Sequence, residues 1–324
     1  MNWESAYILY KLLKLKGVGP AFVNKMIAQS SLESEHWKTG ESLLFGKLNF
    51  EKLLEPDQLK QFNKDDQELR DQLFELERSG SGFISVLSQE YPQSISKILK
   101  HKRPPVISFR GNKNLLEEPM VGFCGSRHAS PQGLEVAKDC VEQLVRKGIV
   151  IVSGHAGGID LEVHYTCLEK GGRTIIVLAE GLLNFKVRKA LEGVWDWGRV
   201  LVISEFLPND IWMSSRAMQR NATIIALSLR MVLIEAGENG GSMDAGKKAL
   251  AMHKRLYTPI YNGMPNIATG NNLLIEQGAI PLYKNKKTGK ANLTQLLHDI
   301  ENTRSGRDTA TQENALFEMT KPGT

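Results

Sequence analysis

Three glycine-rich segments of the sequence carry residue types that bind phosphate groups. Gly125-Ser126-Arg127 combines a permissive glycine, a hydroxyl group and a guanidinium, which can hold a phosphate through two parallel hydrogen bonds. The segment from Ser153 to Gly158 has three glycines within five residues, more than a plain turn needs, so backbone N–H groups can approach a ligand closely. A third segment runs from Gly237 to Ser242. Together these segments predict a phosphate-binding crevice.

Polar residues near these segments are predicted to complete or shape the crevice. Asp160 is expected to cap the helix that follows the second segment, and His164 lies one helical turn later. The alternative for His164 is a satisfied histidine in the core. Arg220-Asn221 is predicted at a helix start, where it points into the crevice or remains a solvated helix end. Glu235 closes a strand directly before the third segment.

A basic cluster made of Lys186, Arg188 and Lys189 lies beside Phe185. Cationic side chains next to an aromatic ring hold single-stranded nucleic acid by phosphate contact and base stacking. The alternative is an ordinary solvated surface, because most runs of charge are solvated.

The elements that position these residues are short apolar strands alternating with helices. Each of the first two glycine segments follows an apolar run, typical of a buried parallel strand, and Pro131–Lys147 has helical apolar spacing between them. The predicted strands are Phe83–Leu87, Val106–Arg110, Met120–Cys124, Ile149–Val152, Thr174–Leu178, Val200–Ser204, Met231–Ile234 and Arg255–Ile260. This alternation predicts an α/β fold with a mostly parallel sheet and helices on both faces. Ligands bind such sheets at the carboxyl ends of the strands.

Composition is that of an ordinary globular protein. The chain has 324 residues, of which 41% are hydrophobic and 24% charged, and its net charge of +5 favours an anionic partner only mildly. The sequence has no apolar stretch of about eighteen residues, the length that would predict a membrane span. There is no secretory signal, and Cys124, Cys140 and Cys167 form no Cys-x-x-Cys pair, so we expect a cytoplasmic protein with reduced thiols.

Signatures of common catalytic and metal sites are missing from the sequence. It has no Walker A sequence, no G-x-S-x-G segment, no His-Glu-x-x-His and no metal-ligand spacing of cysteine and histidine. No pair of carboxylates stands out as general acid and base. We therefore expect a binding protein without catalytic residues, metal or cofactor.

Three regions are predicted along the chain. Residues 1–78 form a helical domain, whose Gly17–Pro20 turn fits either a helix–hairpin–helix motif or a plain helical hairpin. Residues 83–283 carry the strand–helix alternation. Residues 284–324 are expected to contain a basic linker, a short amphipathic helix from Leu293 to Ile300 and a disordered tail.

The order of these motifs resembles the DNA-processing protein A (DprA/Smf) family. Gly125-Ser126-Arg127 matches the family's G-S-R, and Ser153 to His164 matches S-G-x-A-x-G-I-D-x-x-A-H except at Val163. Ser204-Glu205 with Pro208 resembles S-E-Y-P. Further matches are Tyr91-Pro92, Arg103–Gly111, Arg220-Asn221, Glu235-Ala236, Gly241-Ser242, Asn271–Ile275 and Gly278-Ala279. The resemblance covers about residues 83–281 and implies a Rossmann-like fold.

The resemblance also implies a cytosolic homodimer that binds single-stranded DNA and loads the RecA recombinase, as in natural transformation. On this basis the residues expected to contact DNA phosphate are Gly125, Ser126, Arg127, Ser153, Gly154, Ala156, Gly158, Lys186, Arg220, Asn221, Gly241 and Ser242. Those expected to hold the loops in shape are Asp160, His164, Glu205 and Glu235.

Several departures from the family pattern imply a divergent member of the family that the chain resembles. Ala222 replaces a second arginine, which removes one phosphate contact, and Lys186-Val187 replaces a Tyr-Pro pair. Ala179, Gly240 and Ala245-Gly246 also differ, and no winged-helix domain is expected after residue 281. Two other hypotheses therefore stay open: a nucleotide-binding sensor or nucleotide-processing protein on the same fold, and an interaction protein that binds no DNA.

Overall fold

The computed structural model describes residues 3–32, 53–261 and 268–305. All eight predicted strands are present, each within two residues of its expected ends, and a ninth follows them. The strands are β1 (Ser81–Ser85), β2 (Val106–Gly111), β3 (Met120–Cys124), β4 (Val150–Ser153), β5 (Thr174–Val177), β6 (Val200–Ser204), β7 (Arg230–Leu233), β8 (Leu256–Pro259) and β9 (Ile280–Leu282).

Among the described residues, four helices precede the first strand, and the others separate most of the later strands, in line with the predicted strand–helix alternation. They are α1 (Trp3–Lys14), α2 (Pro20–Leu32), α3 (Pro56–Asn63), α4 (Gln67–Arg78), α5 (Gln93–Leu99), α6 (Pro131–Val145), α7 (Ile159–Glu169), α8 (Ser214–Leu227), α9 (Gly241–Ala251), α10 (Thr269–Glu276) and α11 (Thr294–Arg304). The predicted α/β fold with preceding helices is thereby confirmed.

Residue contacts divide the chain into two compact units. Unit 1 comprises Met1–Glu117 and Thr174–Leu227, and unit 2 comprises Glu118–Arg173 and Ser228–Thr324.

Unit 2 contains a parallel sheet with helices on both faces. Its strand order is β4-β3-β7-β8-β9, and every pair is parallel. Val232 packs in a cluster with residues of α6, α7 and α11. Leu233, the next residue, lies against α9 and α10, where a Cβ at Gly246 would meet it and Leu274. Because neighbouring strand residues point to opposite faces, both faces are covered. All five carboxyl ends therefore lie at one edge, here called the carboxyl edge.

Helix α11 is fixed to the opposite edge of this sheet by a buried polar network. The carboxylate of Asp299, which is 4% exposed, accepts a hydrogen bond from Tyr257 and forms an ion pair with Arg255 at 2.5 Å. Arg230 donates to the carbonyl oxygen of Asp299 at 2.7 Å and to Thr303 at 2.8 Å. Arg230 is the first residue of β7, so α11 ends near the amino ends of the strands.

Unit 1 has a mixed sheet packed against the first helices. Its strand order is β1-β2-β6-β5; β1–β2 and β2–β6 are antiparallel, whereas β5–β6 is parallel. Tyr10 of α1 lies edge-on to Phe83 of β1 with ring centroids 6.3 Å apart. The amide of Asn24 in α2 donates to the carbonyl oxygens of His101 and Arg103.

Two sequence predictions reach beyond the described residues. The predicted helical domain includes a helix from Phe50 to Leu59; its start and the tail from residue 306 onward lie outside the described residues. Among the described helices, none has the length and apolar content that crossing a membrane requires.

Candidate nucleic-acid interface

The loop after β3 and the loop after β4 pack directly on each other in unit 2. The N–H of Ile159 donates to the carbonyl oxygen of Ser126 at 3.1 Å. Gly158 has a φ of +66°, and a Cβ there would lie 2.3 Å from the oxygen of Ser126 and 2.6 Å from that of Arg127. Only glycine permits both this backbone conformation and this close approach. The sequence-predicted segments Gly125–Arg127 and Ser153–Gly158 thus form one continuous backbone surface.

Side chains of α7 hold the second loop in shape. The carboxylate of Asp160 accepts hydrogen bonds from the hydroxyl of Ser153 at 2.8 Å and from the N–H of Ala156 at 3.1 Å. Nε2 of His164 lies 2.8 Å from the carbonyl oxygen of Gly154. Both side chains are more than nine-tenths buried, so they are placed to act on the loop and not on a ligand. Their i, i+4 spacing puts them on one side of the helix.

The loop after β7 is tied to the start of α6 by Glu235. Its fully buried carboxylate accepts a hydrogen bond from the N–H of Ser130 at 2.9 Å and another from the Ser130 hydroxyl. Ser130 also caps α6 by accepting from the N–H of Gly133 at 3.0 Å. A Cβ at Gly133 would lie 2.4 Å from Cδ of Glu235, so glycine leaves the room for this carboxylate.

The third glycine segment leads into the first turn of α9. Gly240 precedes the helix with a φ of +100°, and Gly241 and Ser242 are its first two residues. A Cβ at Gly241 would meet no atom of the described residues within 4 Å, so the backbone here faces open space. The first N–H groups of a helix lack intrahelical partners and favour an anion.

Asn271 of α10 fixes the backbone that precedes this segment. Its amide donates to the carbonyl oxygens of Ile234 and Pro259, and its Oδ1 accepts the N–H of Ala236 at 3.0 Å. The side chain is fully buried, so β7, β8 and α10 are joined through one residue.

Unit 2 therefore gathers most of the predicted residues at its carboxyl edge. The segments Gly125–Arg127, Ser153–Gly158 and Gly241-Ser242 each follow a parallel strand of the same sheet. Arg127 is exposed to solvent, whereas Ser153 and Gly154 are buried. A guanidinium beside helix-start N–H groups can bind the oxygens of a phosphate.

Unit 1 contains the remaining predicted residues, including the basic cluster. Lys186 is exposed and follows Phe185, whose ring centroid lies 5.9 Å from that of Trp195 and 6.4 Å from that of Trp197. The guanidinium of Arg110 lies 4.7 Å from the Trp197 ring centroid. This arrangement of three aromatic rings and Arg110, here called the aromatic cluster, places one cation over a ring of the group.

Arg220 lies in the middle of α8, not at a helix start as the sequence suggested. Its side chain is 5% exposed, and Nη1 donates to the carbonyl oxygen of Val177, the last residue of β5, at 3.0 Å. Glu205 accepts hydrogen bonds from Gln219 at 2.8 Å and from Thr223. Asn221 is half-buried beside Arg220. These contacts join α8 to the ends of β5 and β6.

The deciding comparison is with protein-family sequence models: residues 82–291 match the model described as DNA recombination-mediator protein A. The chain belongs to the DNA recombination-mediator protein A family. A Smf protein of Synechocystis sp. is 29% identical over 309 residues, covering 87% of this chain and 74% of that protein. The DNA processing protein DprA of Streptococcus pneumoniae is 31% identical over 198 residues, covering 60% of this chain and 69% of its relative.

Solved structures of relatives show the same fold. The X-ray structure of DprA from Streptococcus pneumoniae superposes with a TM-score of 0.69 at 25% identity, over 85% of this chain and 93% of that one. DNA processing protein A of Helicobacter pylori, whose structure describes a single-stranded DNA binding mode, superposes with a TM-score of 0.56 at 24% identity, over 70% and 96% of the two chains. The Rossmann-like fold implied by the resemblance is confirmed.

Several residues that shape the site in this DprA-family chain were missed in the sequence. The helix-capping role of Ser130 could have been predicted, because a serine followed by proline is a common helix start. Asn271 was recognised only as part of a motif, with no role assigned. Arg110 was likewise recognised only within the Arg103–Gly111 motif, and its contact with Trp197 gave no signal because the two residues are distant in the sequence.

Proposed function

We propose that this DprA-family protein binds single-stranded DNA at the carboxyl edge of unit 2 and acts as a recombination mediator. The observation that carries the proposal is the direct packing of the Arg127 loop, in which Arg127 is exposed, on the Ser153–Gly158 loop. A third loop leads into the first turn of α9. Single-stranded DNA binding by the Helicobacter pylori relative supports the same ligand class.

The chemistry of the three loops suits a phosphate backbone better than a base edge. Arg127 supplies a charged donor, and the backbone at Gly125, Ser126, Gly158, Gly241 and Ser242 supplies neutral donors, whereas the N–H of Ala156 already donates to Asp160. Donors of this kind contact phosphate oxygens and carry no sequence information. We therefore expect binding with strong salt dependence and little sequence preference.

Unit 1 carries a second proposed DNA-contacting surface, argued on its own geometry. Lys186 is exposed and directly follows Phe185 of the aromatic cluster, whose three rings are half-buried, so this segment offers a phosphate contact and rings for base stacking. Stacking on an aromatic side chain contributes about 1–3 kcal/mol per base. The burial of Arg220 favours a positioning role, in which it holds α8 against β5.

A homodimer is part of the proposal, and the edge of the unit 2 sheet is the surface we assign to it. Strand β9 ends the strand order, and Tyr283 and Ile260, which directly follow β9 and β8, are 58% and 36% exposed. An exposed strand edge with apolar neighbours favours pairing with another chain. Light scattering should give the molecular mass of a dimer for the wild type and for Ile211→Glu in unit 1, and a lower mass for Tyr283→Glu. A wild-type monomer would overturn this part.

The biological role we infer is loading of a RecA-type recombinase onto DNA in the cytoplasm, as in natural transformation, without catalysis by this chain. Membership of the recombination-mediator family supports the role. Reduced thiols fit the location, because Cys124, Cys140 and Cys167 are all buried and form no disulfide.

Fluorescence anisotropy with labelled oligo-dT tests the proposed function. We expect saturable binding at low salt that weakens steeply as salt increases. A thermal-shift series with mononucleotides runs in parallel. Stabilisation by a mononucleotide without oligo-dT binding would replace the proposal with the nucleotide sensor. The absence of both, with retained recombinase association, would replace it with the interaction protein.

A further inference from the structure

Residues 284–291, expected from sequence to be a linker, form a tight β-hairpin. Lys284 pairs with Ala291 in an antiparallel bridge, and the N–H of Asn285 donates to the carbonyl oxygen of Lys290 at 2.7 Å. The side-chain oxygen of Asn285 accepts the N–H groups of Lys287 and Thr288 at 2.9 and 3.2 Å. Gly289 has a φ of +72°, which permits the reversal.

The hairpin is anchored to α6 at its base. The N–H of Ala291 donates to Asp139 at 2.5 Å, and Gln143 donates to the carbonyl oxygen of Ala291 at 2.9 Å. Lys290 lies 3.5 Å from Asp139 and 3.9 Å from Glu142, so its charge is balanced by this base. The hairpin is thus held in one orientation on unit 2.

Three positive charges of the hairpin are not balanced in this way. Lys284, Lys286 and Lys287 are exposed, and none has an acidic partner within 4 Å among residues 3–32, 53–261 and 268–305. Their backbone is already ordered, so binding an anion costs less conformational entropy than it would on a mobile linker. Three lysines within four residues on an ordered turn form a compact cationic surface.

The base of the hairpin contacts α6, the helix that follows the Arg127 loop. This base contacts Asp139, eight residues after Pro131 at the start of α6, which corresponds to about 12 Å along the helix. The start of α6 directly follows the Arg127 loop. At the stacked spacing of about 3.4 Å per nucleotide, this length along α6 corresponds to roughly four nucleotides.

We propose that Lys284, Lys286 and Lys287 bind the phosphate backbone of a single strand that extends beyond the loop site. The inference rests on the proposed function, since it assigns a further contact to the same ligand. It predicts that strands of about four nucleotides occupy the loops alone, whereas strands of about twenty also reach the hairpin.

The test compares two triple variants of the full chain that lose equal charge. One variant changes Lys284, Lys286 and Lys287 to glutamine. The control changes Lys138, Lys147 and Lys247, three exposed lysines of unit 2 outside the hairpin, to glutamine. Anisotropy is measured with oligo-dT of about four and about twenty nucleotides across a salt series.

The hairpin variant should bind the long strand at least about tenfold more weakly near 0.1 M salt, with a salt slope lower by about 2, because each lost contact removes about 0.7. Its binding of the short strand should equal wild type. Equal long-strand affinity and slope in both variants would overturn the inference while leaving the loop site intact. Failure of the wild type to bind either strand would instead overturn the proposed function.

Discussion

The carbonyl oxygen of Ser126 accepts the N–H of Ile159 at 3.1 Å, so the loop that carries Arg127 is bonded to the first residue of α7. A change in the Ser153–Gly158 loop therefore shifts the backbone beside Arg127. Binding at this site depends on the fit between two loops as much as on the arginine itself, because misplacing a donor by a fraction of an ångström weakens its hydrogen bond.

Gly158→Ala should disrupt the contact between these loops. The positive φ costs a residue with a side chain about 1–2 kcal/mol, and forcing a methyl group against the backbone of Ser126 adds about 1–3 kcal/mol. Gly171→Ala is the matched control, because Gly171 has a φ of +74° with no described atom within 4 Å of its Cβ position. Urea denaturation should show the larger loss for Gly158→Ala. Equal losses would contradict the close packing.

Asp160→Ala should lower stability by about 1–3 kcal/mol, since it removes the acceptor of the part-buried Ala156 N–H and one of two acceptors, the other being the carbonyl oxygen of Phe123, within reach of the buried Ser153 hydroxyl. Ser153→Ala should be coupled to it, because the hydroxyl of Ser153 donates to the same carboxylate. A double-mutant cycle should give an interaction energy of about 0.5–3 kcal/mol. Additive effects within error would show that the hydrogen bond between these residues does not stabilise the loop.

Most of the fold could be predicted because its strands are apolar and its helices periodic. Strand β9 was missed because Ile280-Pro281-Leu282 is short and contains a proline, which favours an edge strand or no strand. The hairpin at residues 284–291 was missed because its order comes from the side chain of Asn285 and from Asp139 on a distant helix. Neither contact has a local sequence signal.

The loops of the candidate site could be located from sequence, but the state of individual side chains could not. Arg220 follows a polar stretch and was expected at a helix start, yet α8 begins at Ser214 and buries it. The burial of the Arg220 side chain depends on a hydrogen bond to the carbonyl oxygen of Val177 in β5. Charge and spacing identify candidate residues, whereas burial depends on tertiary contacts.

Asp299→Ala should lower stability by about 1–3 kcal/mol, because the buried hydroxyl of Tyr257 loses its acceptor. Arg255→Ala should cost less than about 1 kcal/mol, since the Arg255 side chain is 49% exposed. Chemical denaturation of both variants measures which of them loses more unfolding free energy. Oligo-dT affinity should be unchanged in both, because α11 ends near the amino ends of the strands. A reversed ranking would contradict the assignment of Asp299 as the central residue of this network.

Lys254 should make a contribution to stability that increases as the pH rises above about 8. Burial, with a smaller contribution from Arg230, lowers the pKa of Lys254 from 10.5 to about 8. Between these values the unfolded chain binds more protons than the folded chain, so raising the pH favours folding. Lys254→Met should show a smaller increase in unfolding free energy between about pH 8 and about pH 10. An identical pH dependence in wild type and variant would contradict the lowered pKa.

The most direct test of the DNA site is the salt dependence of oligo-dT binding by Arg127→Ala. Arg304→Ala is the control, since Arg304 is the exposed last residue of α11, near the amino ends of the unit 2 strands. We predict that Arg127→Ala binds more weakly than wild type and that its log–log salt slope is smaller by about 0.7, the value for one phosphate contact with a single strand. The control should match wild type in both. Wild-type affinity and slope in Arg127→Ala would contradict the assignment of this loop to DNA.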